Sequence, residues 1–254
     1  MTKQIADFTL VEKRDYGRSV WLRLQCDRLL PVIKAGQFVQ VRVDDSPHTY
    51  LRRPLSIHEV CPERNEIALL VQRVGEGTRH LAQLNEGDTV NMVLPLGNGF
   101  TLPQKNDKVL LVGGGIGMAP LYHLAKVLKE GGVAFDMLLG ARTSSDLIRF
   151  DEYQALGETF VTTEDGSMGE KGFVTMHSVW NQREYQKIYV CGPKPMMKAV
   201  AHLADDRNIW CEVSLENLMA CGLGACLCCV EDTVDGHVCV CKEGPVFNTR
   251  RLKW

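Results

Sequence analysis

The first hundred residues alternate apolar and polar positions in short runs separated by glycine-bearing turns. Residues 8–11, 20–24, 38–43, 67–72 and 90–93 carry the β-branched or alternating pattern of strands, punctuated by Gly17, Gly36, Gly75, Gly77 and Gly87. No helix-length amphipathic run interrupts them before residues 78–84, and five or six strands at this spacing predict a small antiparallel β-barrel. From about residue 103 the rhythm changes. A fully apolar run at 109–112 leads into a glycine turn, after which Leu121, Leu124, Ala125 and Leu128 recur at helical spacing. Apolar runs at 135–139, 159–161 and 187–190 then alternate with helical segments, including 195–204. That alternation predicts a parallel sheet covered on both faces. The remainder, from about Trp210, is too short to fold around a core of its own. The expected organisation is multidomain, β followed by α/β: residues 1–101 as barrel, 102–208 as a parallel-sheet domain and 209–254 as a small third segment.

Composition narrows the possible chemistry. A chain of 254 residues with 45% hydrophobic and 24% charged positions belongs with ordinary globular proteins. With 29 Lys and Arg against 31 Asp and Glu it has no basic field to draw nucleic acid or an anionic membrane, and neither is expected as a partner. Asp7 interrupts the start where a signal peptide needs an apolar core, and no stretch approaches the ~20 apolar residues of a membrane span. A cytoplasmic location is expected, where thiols stay reduced. Thiols are the unusual feature, because six of the ten cysteines fall in the last 34 positions. A disulfide scaffold spreads its cysteines over a small secreted chain, so this dense knot points to metal chemistry.

Within the knot, Cys221, Cys226 and Cys229 form Cys-x4-Cys-x2-Cys, the spacing with which plant-type ferredoxins wrap a [2Fe–2S] cluster, and a distant cysteine supplies the fourth thiolate. Gly222 and Gly224 suit a loop whose backbone approaches the cluster with N–H groups turned toward sulfur. Tetrahedral zinc is the competing reading of four thiolates, although zinc sites usually show two separated pairs. Spacing alone leaves both Cys239 and Cys241 open as the fourth ligand, since two residues apart on an extended strand face the same side. Cys228 would project differently from Cys229, and Cys26, Cys61, Cys191 and Cys211 read as small buried hydrophobes.

Two turns suit phosphate. Gly113, Gly114, Gly115 and Gly117 lie between a strand and a helix, where pyrophosphate can reach backbone N–H groups at the positive helix end, as in Rossmann-like sheets. Cys191, Gly192 and Pro193 end another apolar strand on the edge where open α/β sheets bind ligands. Glu164 and Asp165 end a further strand, and carboxylates there accept from a ribose 2′-OH while repelling a 2′-phosphate, which favours NAD over NADP. In the barrel, Arg53, Pro54, Leu55 and Ser56 open a strand, and Gly75, Gly77, Thr78 and Arg79 precede a helical segment, a set able to hold a second dinucleotide.

Taken in chain order, Arg53-x-x-Ser56, Gly75-x-Gly77-Thr78, Gly113 to Gly117, Cys191-Gly192-Pro193 and the cysteine knot ending in Cys241 before Gly244-Pro245-Val246-Phe247 resemble the ferredoxin reductase family. More narrowly, they resemble the electron-transfer subunits of NAD-dependent class 1B dihydroorotate dehydrogenases, over essentially the whole chain. The resemblance implies FAD on the barrel at Arg53, Pro54, Leu55 and Ser56, with Leu70, Val71 and Gln72 bordering the ring and Gly77 and Thr78 holding phosphate. The wider family places a flavin-stacking tyrosine where Leu55 stands. The resemblance further implies NAD at the two α/β turns and a [2Fe–2S] cluster on Cys221, Cys226, Cys229 and Cys241, which raises Cys241 above Cys239. The implied partner is an FMN-containing TIM-barrel subunit that oxidises dihydroorotate in pyrimidine biosynthesis, two copies of each chain assembling together. No residue of this chain is then a catalytic acid or base, and the seven histidines default to surface or core roles. Two other readings remain: the reductase subunit of an anaerobic sulfite reductase or ferredoxin:NADP oxidoreductase complex, and a redox-inactive, zinc-stabilised binding module. Cys221 separates this chain from ferredoxin-linked relatives that replace the first cluster cysteine.

Overall fold

The computed structural model describes residues 3–254; Met1 and Thr2, part of the amino-terminal stretch considered above, lie outside the described residues. Strands β1 (Gln4–Asp15), β2 (Ser19–Cys26), β3 (Phe38–Val41), β4 (Arg53–Cys61), β5 (Glu66–Gln72) and β6 (Thr89–Leu96) close into a barrel of order β1-β2-β5-β4-β3-β6, antiparallel throughout, as the alternating pattern predicts. Alternate side chains fill it. Phe8 and Leu10, Val20, Leu22 and Leu24, Val39 and Val41, Leu69 and Val71, and Met92 and Leu94 share one buried cluster. Each such side chain contributes about 1.5–3 kcal/mol by leaving water. Register shifts at Leu10/Glu12, Phe38/Gln40 and Ile57/Glu59 bend the strands enough for closure. Helix α1 (Glu76–Leu81) lies between β5 and β6 and starts two residues before the helical segment expected from 78.

The second sheet is built from β7 (Val109–Gly114), β8 (Phe135–Ala141), β9 (Glu158–Thr163), β10 (Glu170–Lys171), β11 (Lys187–Cys191) and β12 (Trp210–Ser214), interleaved with α2 (Ala119–Glu130), α3 (Phe150–Gln154), α4 (Val179–Gln182) and α5 (Lys194–Asp206). A hairpin, β13 (Val230–Thr233) and β14 (Gly236–Cys239), and a short helix, α6 (Val240–Glu243), precede the last strand, β15 (Val246–Asn248). The sheet order is β10-β9-β8-β7-β11-β12-β15, parallel except for β15, which pairs antiparallel with β12. Every residue of β7 is buried, as a strand covered on both faces requires.

Two compact units result. One contains the barrel up to Gly99 together with residues 216–232 and 236–245; the other contains residues 100–215, 233–235 and 246–254. The 209–254 segment thus serves both. Its ends extend the parallel sheet as β12 and β15, while its cysteine-bearing middle packs with the barrel. Lacking a core of its own, it borrows two. Among the described residues, no helix is long and apolar enough to cross a membrane.

Candidate cofactor sites

The cysteine knot folds as a loop whose backbone N–H groups turn toward thiols. Leu223 N lies 3.3 Å from Cys221 Sγ, Gly224 N lies 3.1 Å from Cys241 Sγ, and Cys241 N lies 3.3 Å from Cys229 Sγ. Positive φ at Gly222 (+70°), Gly224 (+84°) and Leu227 (+59°) makes these inward turns possible. The loop leaves no room for side chains at the two glycines: a Cβ on Gly222 would lie 2.8 Å from Gln40 Cγ, and one on Gly224 3.0 Å from Lys242 Cδ. Backbone N–H donors directed at the thiols of Cys221, Cys229 and Cys241 suit an iron–sulfur cluster, whose sulfurs accept hydrogen bonds and whose irons take thiolates.

The extended-strand expectation for Cys239 and Cys241 does not survive. Strand β14 ends at Cys239 and α6 begins at Val240, so the two residues do not share one extended strand, although both thiols lie beside that of Cys229. Cys241 is buried and bonded to Gly224 N, while Cys239 Sγ sits 3.9 Å from Gly224 O, a weak contact. Cys228 is exposed, its Sγ 3.7 Å from Leu218 O. Electrostatics further distinguish the thiols. The Leu223 N–H, with further backbone N–H groups at Cys226 and Ala225, pulls Cys221 down to about 6. Burial, reinforced by Cys229, pushes Cys241 up to about 12.

Asn98, which the sequence reading did not single out, holds the end of α6. Its backbone N donates to Gly244 O at 2.6 Å, and its Nδ2 lies 3.2 Å from Lys242 O and 3.0 Å from Glu243 O, satisfying carbonyls that a helix end leaves open. Asn98→Ala removes the side-chain bonds at a cost of about 1 kcal/mol. We expect roughly fivefold faster loss of iron to a chelator, with the barrel still folded.

On the barrel, β4 pairs with β3 so that Ser56 faces Phe38, Leu55 faces Val39, Pro54 faces Gln40 and Arg53 faces Val41. Leu55 packs against the barrel core, whereas Gln40 points away from that core and is nevertheless buried. Arg53 donates through Nε and Nη2 to Leu51 O. Gly77 fits closely beneath the loop before β4: a Cβ there would lie 2.9 Å from Thr49 Cγ2 and 3.3 Å from Arg53 Cδ. Thr78 Oγ1 accepts from Val74 N and Gly75 N, capping α1, which leaves main-chain N–H groups as the phosphate donors of this turn. Val71 belongs to the barrel core, and Leu70 and Gln72 occupy the other face of β5. The barrel side chains that could meet a flavin are Arg53, Pro54, Leu55 and Ser56, all half-buried, with Leu70 and Gln72, while Val71, Gly77 and Thr78 could contribute backbone.

In the second unit the two glycine turns come together at the carboxyl ends of β7 and β11. A Cβ on Gly117 would lie 2.5 Å from Gly192 Cα and N and 2.6 Å from Cys191 C. A Cβ on Gly114 would lie 2.3 Å from Met196 Sδ and 3.1 Å from Pro193 Cδ, side-chain atoms rather than backbone. Gly115, at φ +53°, has open space on its Cβ side, and a Cβ on Gly113, the next-to-last residue of β7, would lie 3.1 Å from Leu139 Cδ2. Tyr153, fully buried, donates to Met118 O at 3.0 Å and holds the turn from beneath. A 3-10 turn at Gly115–Met118 precedes α2, and Pro193 precedes α5, so both turns feed helix N-termini. Glu164 and Asp165 follow β9 at the same edge; the Asp165 carboxylate accepts from Ser167 N and Oγ, which hold it below the usual carboxylate range. A cavity of about 1130 Å³ among Lys108, Asp136, Trp180, Arg183 and Tyr185 lies at the opposite, amino end of the strands, away from these turns.

Comparison with known proteins agrees with this layout. Residues 216–253 match the iron-sulfur cluster binding domain of dihydroorotate dehydrogenase B, and residues 111–202 match the oxidoreductase NAD-binding domain. The dihydroorotate dehydrogenase B (NAD(+)) electron transfer subunit of Bacillus pumilus is 38% identical over 97% of both chains. That of Geobacillus kaustophilus is 40% identical over 96% of this chain and 94% of its own. Among solved structures, a chain of an NADH-dependent reduced ferredoxin-NADP oxidoreductase superposes with TM-score 0.88 at 32% identity, over 97% of this chain and 90% of that one. The ferredoxin reductase of carbazole 1,9a-dioxygenase shares the fold at TM-score 0.70 and 19% identity, over 82% of this chain and 67% of its own. Matched along nearly its whole length by such relatives, the chain belongs to the family of dihydroorotate dehydrogenase B (NAD(+)) electron transfer subunits.

Proposed function

We propose that this chain carries electrons from a dihydroorotate-oxidising partner through a [2Fe–2S] cluster and FAD to NAD⁺ in pyrimidine biosynthesis. The observation that carries the proposal is the packing of the cysteine loop on the barrel. Gly222 lies against Gln40, and Gln40 pairs across strands with Pro54 of the Arg53–Ser56 run, all within one compact unit. When bound there, the cluster supplies one-electron transfer, and the flavin collects two electrons and hands them to nicotinamide as a hydride. Cys221, Cys226, Cys229 and Cys241 hold the irons, and Leu223, Gly224 and Cys241 offer N–H groups to the sulfurs. Arg53, Pro54 and Ser56 orient the flavin, and Gly77 and Thr78 meet its phosphates through the backbone. Gly113, Gly114, Gly115 and Gly117 with Cys191, Gly192 and Pro193 seat the dinucleotide, and Glu164 and Asp165 select NAD over NADP.

The partner is an FMN-containing TIM-barrel subunit, assembled two and two with this chain in the cytoplasm. Leu218, Leu223, Leu227 and Val230 expose apolar side chains along the cysteine-bearing segment, as a docking surface close to the cluster would. Leu227→Asp is expected to weaken assembly about tenfold or more in a binding titration while sparing the fold, because aspartate tolerates the positive φ at this position. Co-expression with the candidate dehydrogenase tests the function: co-purification of a complex containing FMN, FAD, iron and sulfide supports it, and a siroheme partner or a colourless, zinc-loaded chain contradicts it. A second reading, the reductase subunit of a ferredoxin:NADP oxidoreductase complex, is favoured by the 0.88 superposition alone. It predicts ferredoxin-linked NADP reduction and no response to dihydroorotate.

A further inference from the structure

Gln40 is a polar side chain that the polypeptide leaves unsatisfied at both ends of its carboxamide. It is 1% exposed, and neither Nε2 nor Oε1 has a hydrogen-bond partner. Buried carboxamides are satisfied in native proteins, because an unmet donor or acceptor keeps the full penalty of desolvation. Its place in the barrel explains how it came to be buried. Strand alternation sends Val39 and Val41 into the core and Gln40 to the outer face, where a solvent-facing glutamine is unremarkable, but the cysteine loop covers that face. A Cβ on Gly222 would lie 2.8 Å from Gln40 Cγ and 3.0 Å from Nε2, so the carboxamide abuts the residue that follows Cys221. Meanwhile its backbone O accepts from Arg52 and its neighbour across β4 is Pro54, fixing the strand from which it reaches.

We propose that Gln40 tunes the cluster from the barrel: its Nε2–H donates a hydrogen bond to a sulfur of the cluster held by the cysteine loop. The inference rests on the reading that Cys221, Cys226, Cys229 and Cys241 hold that cluster. Sulfide and thiolate accept hydrogen bonds and donate none, so the amide end, which is the end lying at Gly222, is the one that serves. A hydrogen bond to sulfur stabilises the more negative, reduced cluster and raises its potential. Gln40 is therefore a positioning and tuning residue on the flavin-bearing sheet, one that adjusts the centre that feeds the flavin.

The test is an EPR-monitored redox titration of purified holoprotein carrying Gln40→Met, which keeps volume and removes both polar atoms, and Gln40→Glu, which keeps shape and replaces the donor with an acceptor. With iron, sulfide and FAD at wild-type content, both are expected to lower the cluster potential. For Gln40→Met the reduced-to-oxidised ratio at fixed ambient potential should fall about tenfold, equivalent to about 59 mV for one electron. The Gln40→Glu potential should also become pH-dependent. An unchanged cluster potential, or a shift confined to the flavin, overturns the proposal. Should neither variant retain its cluster, wild-type protein labelled with ¹⁵N only in glutamine side chains decides the matter. A ¹⁵N hyperfine coupling to the reduced cluster supports the assignment, and its absence overturns it. Wild-type protein without iron and sulfide would overturn the cluster reading itself, whereas a cluster indifferent to Gln40 overturns only the role given to this residue.

Discussion

Cys241→Ser is expected to strip the chain of its cluster and lower dihydroorotate-dependent NAD⁺ reduction by about 100-fold or more, because loss of a ligand costs at least as much as loss of the groups that orient one. NADH oxidation by a small two-electron acceptor should persist, since that path needs flavin and not iron. The comparison with Cys239→Ser makes the result specific. Cys241 Sγ receives the Gly224 N–H and its backbone N reaches Cys229 Sγ, whereas Cys239 Sγ, also beside the Cys229 thiol, makes a weak contact to Gly224 O. The serine at 239 should leave iron and sulfide content near wild type. Equal loss in both variants would contradict the assignment of the fourth ligand. Absorption of the cluster beyond the flavin bands and an iron and sulfide determination are sufficient to measure this.

Gly117→Ala is expected to produce the largest loss of NADH binding available from a single methyl group. The added Cβ meets main-chain atoms, Gly192 Cα and N at 2.5 Å and Cys191 C at 2.6 Å, so no side chain can rotate out of its way. The two turns must separate, and overpacking of this kind costs about 1–3 kcal/mol. If the whole cost falls on the bound geometry, the Kd for NADH rises about 5- to 150-fold, with FAD and iron content expected to stay unchanged because the residues proposed to hold them belong to the other unit. Gly115→Ala provides the contrast. Its Cβ meets open space and it suffers only the strain of φ +53°, so it should cost about 1–2 kcal/mol in stability with a smaller effect on binding. Calorimetric titration with NADH measures both.

The barrel was legible because five of its strands carry β-branched or alternating runs between turn residues, although β3 and β5 are buried on nearly every position. Strand β4 was visible only at its start: it is half-buried along most of its length, begins beside Pro54 and is broken by the shift between Ile57 and Glu59. In the second unit, β7 and β11 announced themselves as apolar runs, while β12 did not, because Glu212 and Ser214 are polar residues buried within it. Glu212 is tolerated there because Thr101 N and Oγ1 both donate to its carboxylate, a pairing of residues 111 positions apart that no local pattern contains. The cysteine knot was legible in its spacing, whereas spacing left Cys239 and Cys241 both open as the fourth member, and the turn from strand to helix at Val240 is not visible in it. Asn98 and Gln40 carried no sequence signal. One is an asparagine in a glycine turn and the other a polar position on an alternating strand, and each matters only because the cysteine segment folds back upon it.

The most direct test of the electron path is an anaerobic titration of the assembled complex. Dihydroorotate should bleach the flavin absorption and bring up the EPR signal of a reduced [2Fe–2S] cluster, and added NAD⁺ should abolish the signal while NADH appears in equal amount to the orotate formed. Dihydroorotate that leaves the cluster oxidised, or a reduced cluster that NAD⁺ cannot discharge, would contradict the account.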